Sequence, residues 1–145
     1  MKKLVILVTG ATSGIGRHAA LALAKEGHHV IAAGRREAAL TPLTEEAKKA
    51  GARIDGLRVD VTSQASIEDA VARVNELTDG HGVDALVNNA GYGQTGPLET
   101  VGDKELRAQF DTNVFGLMAM TRAFLPQMRE RGFGRIVNVG SMGGL

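Results

Sequence analysis

The sequence predicts an α/β fold, a parallel sheet covered by helices on both faces, and three observations carry that reading. Short β-branched runs alternate with longer helical patterns along all 145 residues, the order that βαβ units impose. Aromatic residues make up only 3% of the chain while apolar residues reach 43%. The core is therefore expected to consist of Val, Ile, Leu and Ala, as buried parallel strands do. No repeat, low-complexity tract or linker interrupts the alternation, and the length suits one domain, residues 1–145.

The first strand is read over Lys3 to Thr9, an apolar run after two lysines that leads straight into glycines. A helix opens at that turn and runs from Gly14 to about Glu26. His29 to Ala33 makes the second strand. The second helix covers Pro42 to Ala50, with Thr41 read as its N-cap and Pro42 at the first helical position, where its missing N–H costs nothing. Ile54 to Val59 is the third strand. From Ser66 to Leu77, the residues Ile67, Ala70, Val71, Val74 and Leu77 recur at helical spacing and form one apolar stripe for packing on the sheet. Val83 to Val87 is the fourth strand. One long helix is expected over Gly102 to Arg131, ended or kinked at Pro126, which cannot donate to the preceding turn. Arg135 to Val139 is the fifth strand, and right-handed crossovers wind the five into a doubly wound sheet.

Composition excludes several function classes. Net charge is +1, against a nucleic-acid footprint, although the first fifty residues hold 8 Lys and Arg against 4 Asp and Glu. Cysteine is absent, which removes disulfides, thiolate metal sites and a thiol nucleophile and makes the cytoplasm the expected location. His18, His28, His29 and His81 show no metal-ligand spacing, so no metal is expected. The run Leu4 to Val8 is too short for a signal peptide or a membrane span.

The strongest chemical signal is the first strand–turn–helix, where "KLVILVTG" leads into "ATSGIG". Gly10, Gly14 and Gly16 let the backbone turn tightly and approach a ligand, and the free N–H groups at the helix start favour a pyrophosphate. The spacing is G-x-x-x-G-x-G rather than G-x-G-x-x-G, which points to a particular branch of the dinucleotide-binding folds. Three companions follow: "LRVDVT" with Asp60 and Val61 at a strand end, "LVNNAG" with Asn88, Asn89, Ala90 and Gly91 at another, and "DTNVFG" with Asn113 in the long helix.

Taken in order, these motifs resemble the short-chain dehydrogenase/reductase family over the whole chain, from T-G-A-T-S-G-I-G at 9–16 through N-N-A-G at 88–91 to Ser141. The resemblance implies a Rossmann-like sheet and hydride transfer between a nicotinamide and a carbonyl or alcohol substrate. It implies that the turn carrying Gly10, Thr12, Ser13, Gly14, Ile15 and Gly16 binds cofactor, and that Asp60 holds the adenine edge. Asn89 to Gly91 would line the nicotinamide side, Asn113 would anchor a water in a proton relay, and Ser141 would bind the substrate oxygen. Gly140-Ser141 stands where the family more often has Ser-Ser.

Charge argues for the cofactor. An NAD site presents an acid at the end of the second strand, whereas NADP needs cations there. The strand here ends "IAAGRRE", with Arg35 and Arg36 in that place, and a guanidinium fork matches a phosphate and keeps its charge. NADP(H) is the expected cofactor, with NAD(H) as the alternative.

The family's proton comes from Tyr-x-x-x-Lys, about a dozen residues beyond the serine. The single tyrosine here, Tyr92, has Gly96 four positions on. The chain is therefore expected to be the N-terminal portion of such a protein, its last strands missing, and to lack useful turnover alone. The strand carrying Ile136, Val137 and Val139 would be left with an open edge, so a homo-oligomer or self-association is expected. The competing reading is a non-catalytic nucleotide-binding half-domain or complementation fragment. A methyltransferase-type fold would need an acid after the second strand, where the two arginines stand.

Overall fold

The computed structural model of the chain describes residues 1–142. Five strands, β1 (Val5–Val8), β2 (His29–Gly34), β3 (Arg53–Arg58), β4 (Ala85–Asn88) and β5 (Arg135–Asn138), form one sheet in the order β3-β2-β1-β4-β5. All four pairings are parallel, with Leu7 of β1 registered between Ile31 of β2 and Leu86 of β4. The helices between them are α1 (Gly14–Lys25), α2 (Thr41–Lys49), α3 (Gln64–Leu77), α4 (Asp103–Phe110) and α5 (Leu117–Arg131). This is a Rossmann-like α/β fold, with strand order reversing between β1 and β4.

The period-two alternation of each strand builds two cores. Leu7, Ile31, Leu57 and Leu86 face Ile67, Ala70 and Val74 of α3 and Met120, Phe124 and Met128 of α5. Ile6, Val8, Val30 and Ala32 face the opposite way, toward Ala20 and Ala24 of α1 and Leu43 and Ala47 of α2. A run that is apolar at every position can serve both layers, which is why β1 and β2 show no polar alternation.

Two local expectations need correction, and a third, at Pro126, is narrowed. Thr41 is not the N-cap of the second helix: Leu40 takes that place, and a 3-10 turn over Glu37–Ala39 feeds the helix, so Thr41 is already helical. Pro42 is then the second helical residue, still among the positions whose N–H has no intrahelical partner. The long helix is not α-helical throughout, because a π-helical segment, Asp111–Gly116, lies between α4 and α5. Pro126 does not end α5, which runs on to Arg131. Pro126 and Arg122, whose carbonyl loses its donor, both lie on the exposed side, where water can substitute.

β5 is the outermost strand, with Ile136 and Val137 left 38% and 48% exposed. At the other end of the strands a buried carboxylate ties several elements together. Asp84 accepts from the Val5 N–H at 2.9 Å and from His81 Nε2 at 2.9 Å, while its own carbonyl accepts the Arg135 N–H.

Candidate functional site

The carboxyl ends of β1, β2, β3 and β4 open onto a cleft of about 820 Å³, near the top of the ~300–1,000 Å³ range of ligand pockets. It lies where strand order reverses, the place at which open parallel sheets bind ligands. Its wall is built first by the turn after β1. Gly10 has φ +63°, and a Cβ there would lie 2.9 Å from the Ala90 Cα, so both conformation and space require glycine. Gly16 sits in the first turn of α1, where a Cβ would fall 2.3 Å from Asn89 Nδ2 and from the Gly10 carbonyl oxygen.

That proximity comes from hydrogen bonds between two loops. Asn89 Nδ2 donates to the Thr9 carbonyl at 3.1 Å and to the Gly10 carbonyl at 3.2 Å. In return, the Thr9 hydroxyl oxygen accepts the N–H groups of Asn89 at 3.0 Å and Ala90 at 2.9 Å. The glycine turn and the N-N-A-G loop are thus stitched into one surface. Ser13 caps α1 with extended backbone and no side-chain hydrogen bond to the helix. The N–H groups of the first turn are therefore not consumed by their own cap, and they carry the positive end of the helix dipole.

Across the cleft, Arg35 follows β2 and Asp60 follows β3, and both line it. The carboxyl of Asp60 is held below its usual range by the Thr62 hydroxyl, 2.7 Å away, then by the Thr62 N–H at 2.9 Å. Burial works against this shift, while the charges of Arg35 and Arg58 add to it. An ionised acceptor and a permanent cation therefore share one wall.

The predicted residues divide by place. Gly10, Thr12, Ser13, Gly14, Ile15, Arg35, Asp60, Val61, Asn89, Ala90 and Gly91 line the cleft. Arg36 does not; it precedes the 3-10 turn at its N-cap. Asn88 lies below the cleft, donating to Thr121 Oγ1 at 3.1 Å and Asn138 Oδ1 at 3.0 Å. Ser141 stands exposed just past β5, outside the cleft's lining. Asn113 lies in the π-helical segment with its amide against the backbone of Tyr92. Its Oδ1 accepts the Tyr92 N–H at 3.1 Å and its Nδ2 donates to the Tyr92 carbonyl at 2.7 Å.

Sequence reasoning passed over several lining residues, among them Thr9, Gly34, Tyr92, Asp111 and Thr112. Gly34 carried a readable signal, since it ends the second strand, and a Cβ there would meet Thr12 Cγ2 at 2.6 Å. Among the described residues no group of three or more His, Cys, Asp and Glu could hold a metal ion. No described helix is long and apolar enough to cross a membrane.

Set against known proteins, residues 4–145 match the family model for short chain dehydrogenase. The chain is 39% identical over 142 residues to an NADP-dependent 3-hydroxy acid dehydrogenase of Shigella flexneri, covering 97% of this chain and 55% of that protein. It is 40% identical over 151 residues to human 17-beta-hydroxysteroid dehydrogenase type 1, covering 100% of this chain and 45% of that protein. Among solved structures, an actinorhodin polyketide ketoreductase with NADPH superimposes with a TM-score of 0.91 at 42% identity, covering 98% of this chain and 54% of that one. The chain spans about half the length of the relatives it matches.

Proposed function

The chain belongs to the short chain dehydrogenase family, and from that membership we propose that it forms the nucleotide-binding part of an NADP(H)-dependent oxidoreductase acting on a carbonyl or alcohol substrate. The observation that carries the proposal is the pairing, in one cleft, of the start of α1, whose N–H groups donate no hydrogen bond to the Ser13 side chain, with Arg35 just past β2. The first offers backbone N–H groups to a pyrophosphate and the second offers a guanidinium to a further phosphate. The cleft also fits the remainder of a dinucleotide. Asp60 provides a carboxylate that can accept from an exocyclic amine, and the backbone of Asn89 to Gly91 forms a wall free of bulky side chains. NAD(H) would bind the same turn without the phosphate contact to Arg35.

The bound cofactor supplies the hydride. In this proposal the residues of the chain bind and orient. Ser141, at the end of β5, donates a hydrogen bond to the substrate oxygen. Asn113 holds its segment of the π-turn against the loop after β4, beside the relay that the family resemblance assigns to it. Within these 145 residues the one tyrosine is Tyr92, with Gly96 four positions on, so the Tyr-x-x-x-Lys pair of the family is not among them. The proposal therefore assigns proton transfer to residues outside this stretch, and it assigns binding without turnover to the 145 residues alone. Loss of a general acid lowers rates by about a hundredfold to ten-thousandfold.

The test is to follow NADPH consumption with a panel of apolar ketones, first with the 145-residue chain and then with a second chain carrying a Tyr-x-x-x-Lys segment added. Consumption only in the mixture supports the proposal. Robust consumption by the 145 residues alone would contradict it.

A further inference from the structure

We propose that Tyr92 is a ligand-contacting residue of the cleft, its backbone held in place by Asn113 before any ligand arrives, so that a flat heteroaromatic ring of the dinucleotide packs against its side chain. The inference rests on the cofactor reading of the cleft and adds to it a residue that no motif marks.

Two features of the molecule carry it. The first is how the loop after β4 is fastened. Both backbone polar groups of Tyr92 are bonded to the single amide of Asn113, at 3.1 and 2.7 Å, and the Gln94 N–H donates to Gln109 Oε1 at 3.0 Å. Asn113 and Gln109 stand four residues apart, so the helical side of the cleft grips the loop at two successive points. A loop exposed along residues 91–100 would otherwise have little to define its path. Holding the backbone on both sides of one Cα fixes where the Cα–Cβ bond points, and a loop path prepared in advance loses less entropy when the ligand binds.

The second feature is exposure in the wrong place for an isolated molecule. Tyr92 is 45% exposed and Ile15, on the glycine turn, is 70% exposed, and both line the cleft. Val59 and Val61 line it too but are buried, and the rest of the lining is mostly glycine, alanine and polar side chains. Large apolar surfaces left open in one cleft are covered when a ligand with flat, weakly hydrated faces lies in it. A dinucleotide has two such rings, joined by the phosphates that the turn and Arg35 would hold.

The test uses the fact that the chain has one tyrosine and no tryptophan, so its tyrosyl emission comes from Tyr92 alone. Acrylamide quenching of that emission is measured with and without saturating NADP+, while calorimetry follows binding independently. Covering of the ring lowers the quenching constant by about half, and Tyr92→Ala weakens NADP+ binding by about tenfold whereas Tyr92→Phe leaves it unchanged. In the free chain, Asn113→Ala raises the quenching constant, since the loop that carries the ring is no longer held. Calorimetric binding with unchanged quenching, or full affinity in Tyr92→Ala, overturns the role of Tyr92 and leaves the cofactor reading intact. An unchanged quenching constant in free Asn113→Ala overturns the positioning by Asn113. Absence of any binding heat removes the cofactor reading and this inference with it.

Discussion

The side-chain amide of Asn89 lies 3.2 Å from the carbonyl oxygen of Gly10, so the end of β4 holds the turn that follows β1. The two segments are 79 residues apart in the chain, and their union is what shapes the floor of the cleft. In the proposed function, binding would therefore depend on a residue that need not touch the ligand through its side chain.

Replacing that residue tests the dependence. Asn89→Ala leaves the Thr9 and Gly10 carbonyls without this donor, and an unmet buried acceptor costs about 1–3 kcal/mol. Affinity for NADPH is expected to fall about tenfold with a lower urea midpoint. A variant that binds as tightly as the parent would show that the turn keeps its shape unaided.

Arg35 is expected to separate the two nicotinamide cofactors. A hydrogen bond to a charged group contributes about 1.5–3 kcal/mol, so Arg35→Ala should weaken NADPH binding about tenfold to a hundredfold and leave NADH nearly unchanged. Arg36, which does not line the cleft, should tolerate alanine with a much smaller change. Equal losses for both cofactors would assign Arg35 a structural role instead.

Acid should unfold the chain through Asp84. Burial alone would push this carboxyl up, but the Val5 N–H, the His81 hydrogen bond and charge, and Arg131 together outweigh it and hold it below the ordinary value of 3.8. Asp60 is lowered as well. For a group whose folded value lies below its unfolded one, the stabilisation is complete above the unfolded value and is lost as pH falls through the folded one. Stability measured by urea melts should thus be level from neutral pH down to about 5 and drop below about 4. In Asp84→Asn the drop should be shallower; an unaltered acid limb would remove Asp84 from the explanation.

The edge of the sheet predicts association. Ile136 and Val137 of β5 are partly open to solvent beside unpaired backbone groups, and such edges pair with other chains. The 145-residue chain should therefore scatter light as dimers or larger species, and Val137→Lys should shift it toward monomer. A monodisperse monomer in the parent chain would contradict this.

Much of this molecule could be read in advance because its information is local. The strands begin and end within two residues of the expected positions, and the glycine turn lies between the first strand and the first helix as its spacing requires. The stripe from Ile67 to Leu77 packs on the sheet as its period demands. What could not be read depends on distant partners. The π-segment at Asp111–Gly116 leaves no mark on a helical pattern, because its residues serve the cleft and the loop at Tyr92, 21 positions before Asn113. The placement of Asn88 was legible and went unread. Alternation along β4 puts it on the same face as Leu86, the face α5 covers, and there it meets Thr121. Thr41 failed as a cap because the preceding turn was already helical, which no single residue announces.

Whether this cleft binds a dinucleotide bearing an extra phosphate is decided by calorimetric titration of the 145-residue chain with NADPH and with NADH under identical salt. Saturable binding of NADPH at least about tenfold tighter than that of NADH is expected, the margin one charge-assisted contact provides. Equal affinity for the two, or tighter binding of NADH, would contradict that expectation.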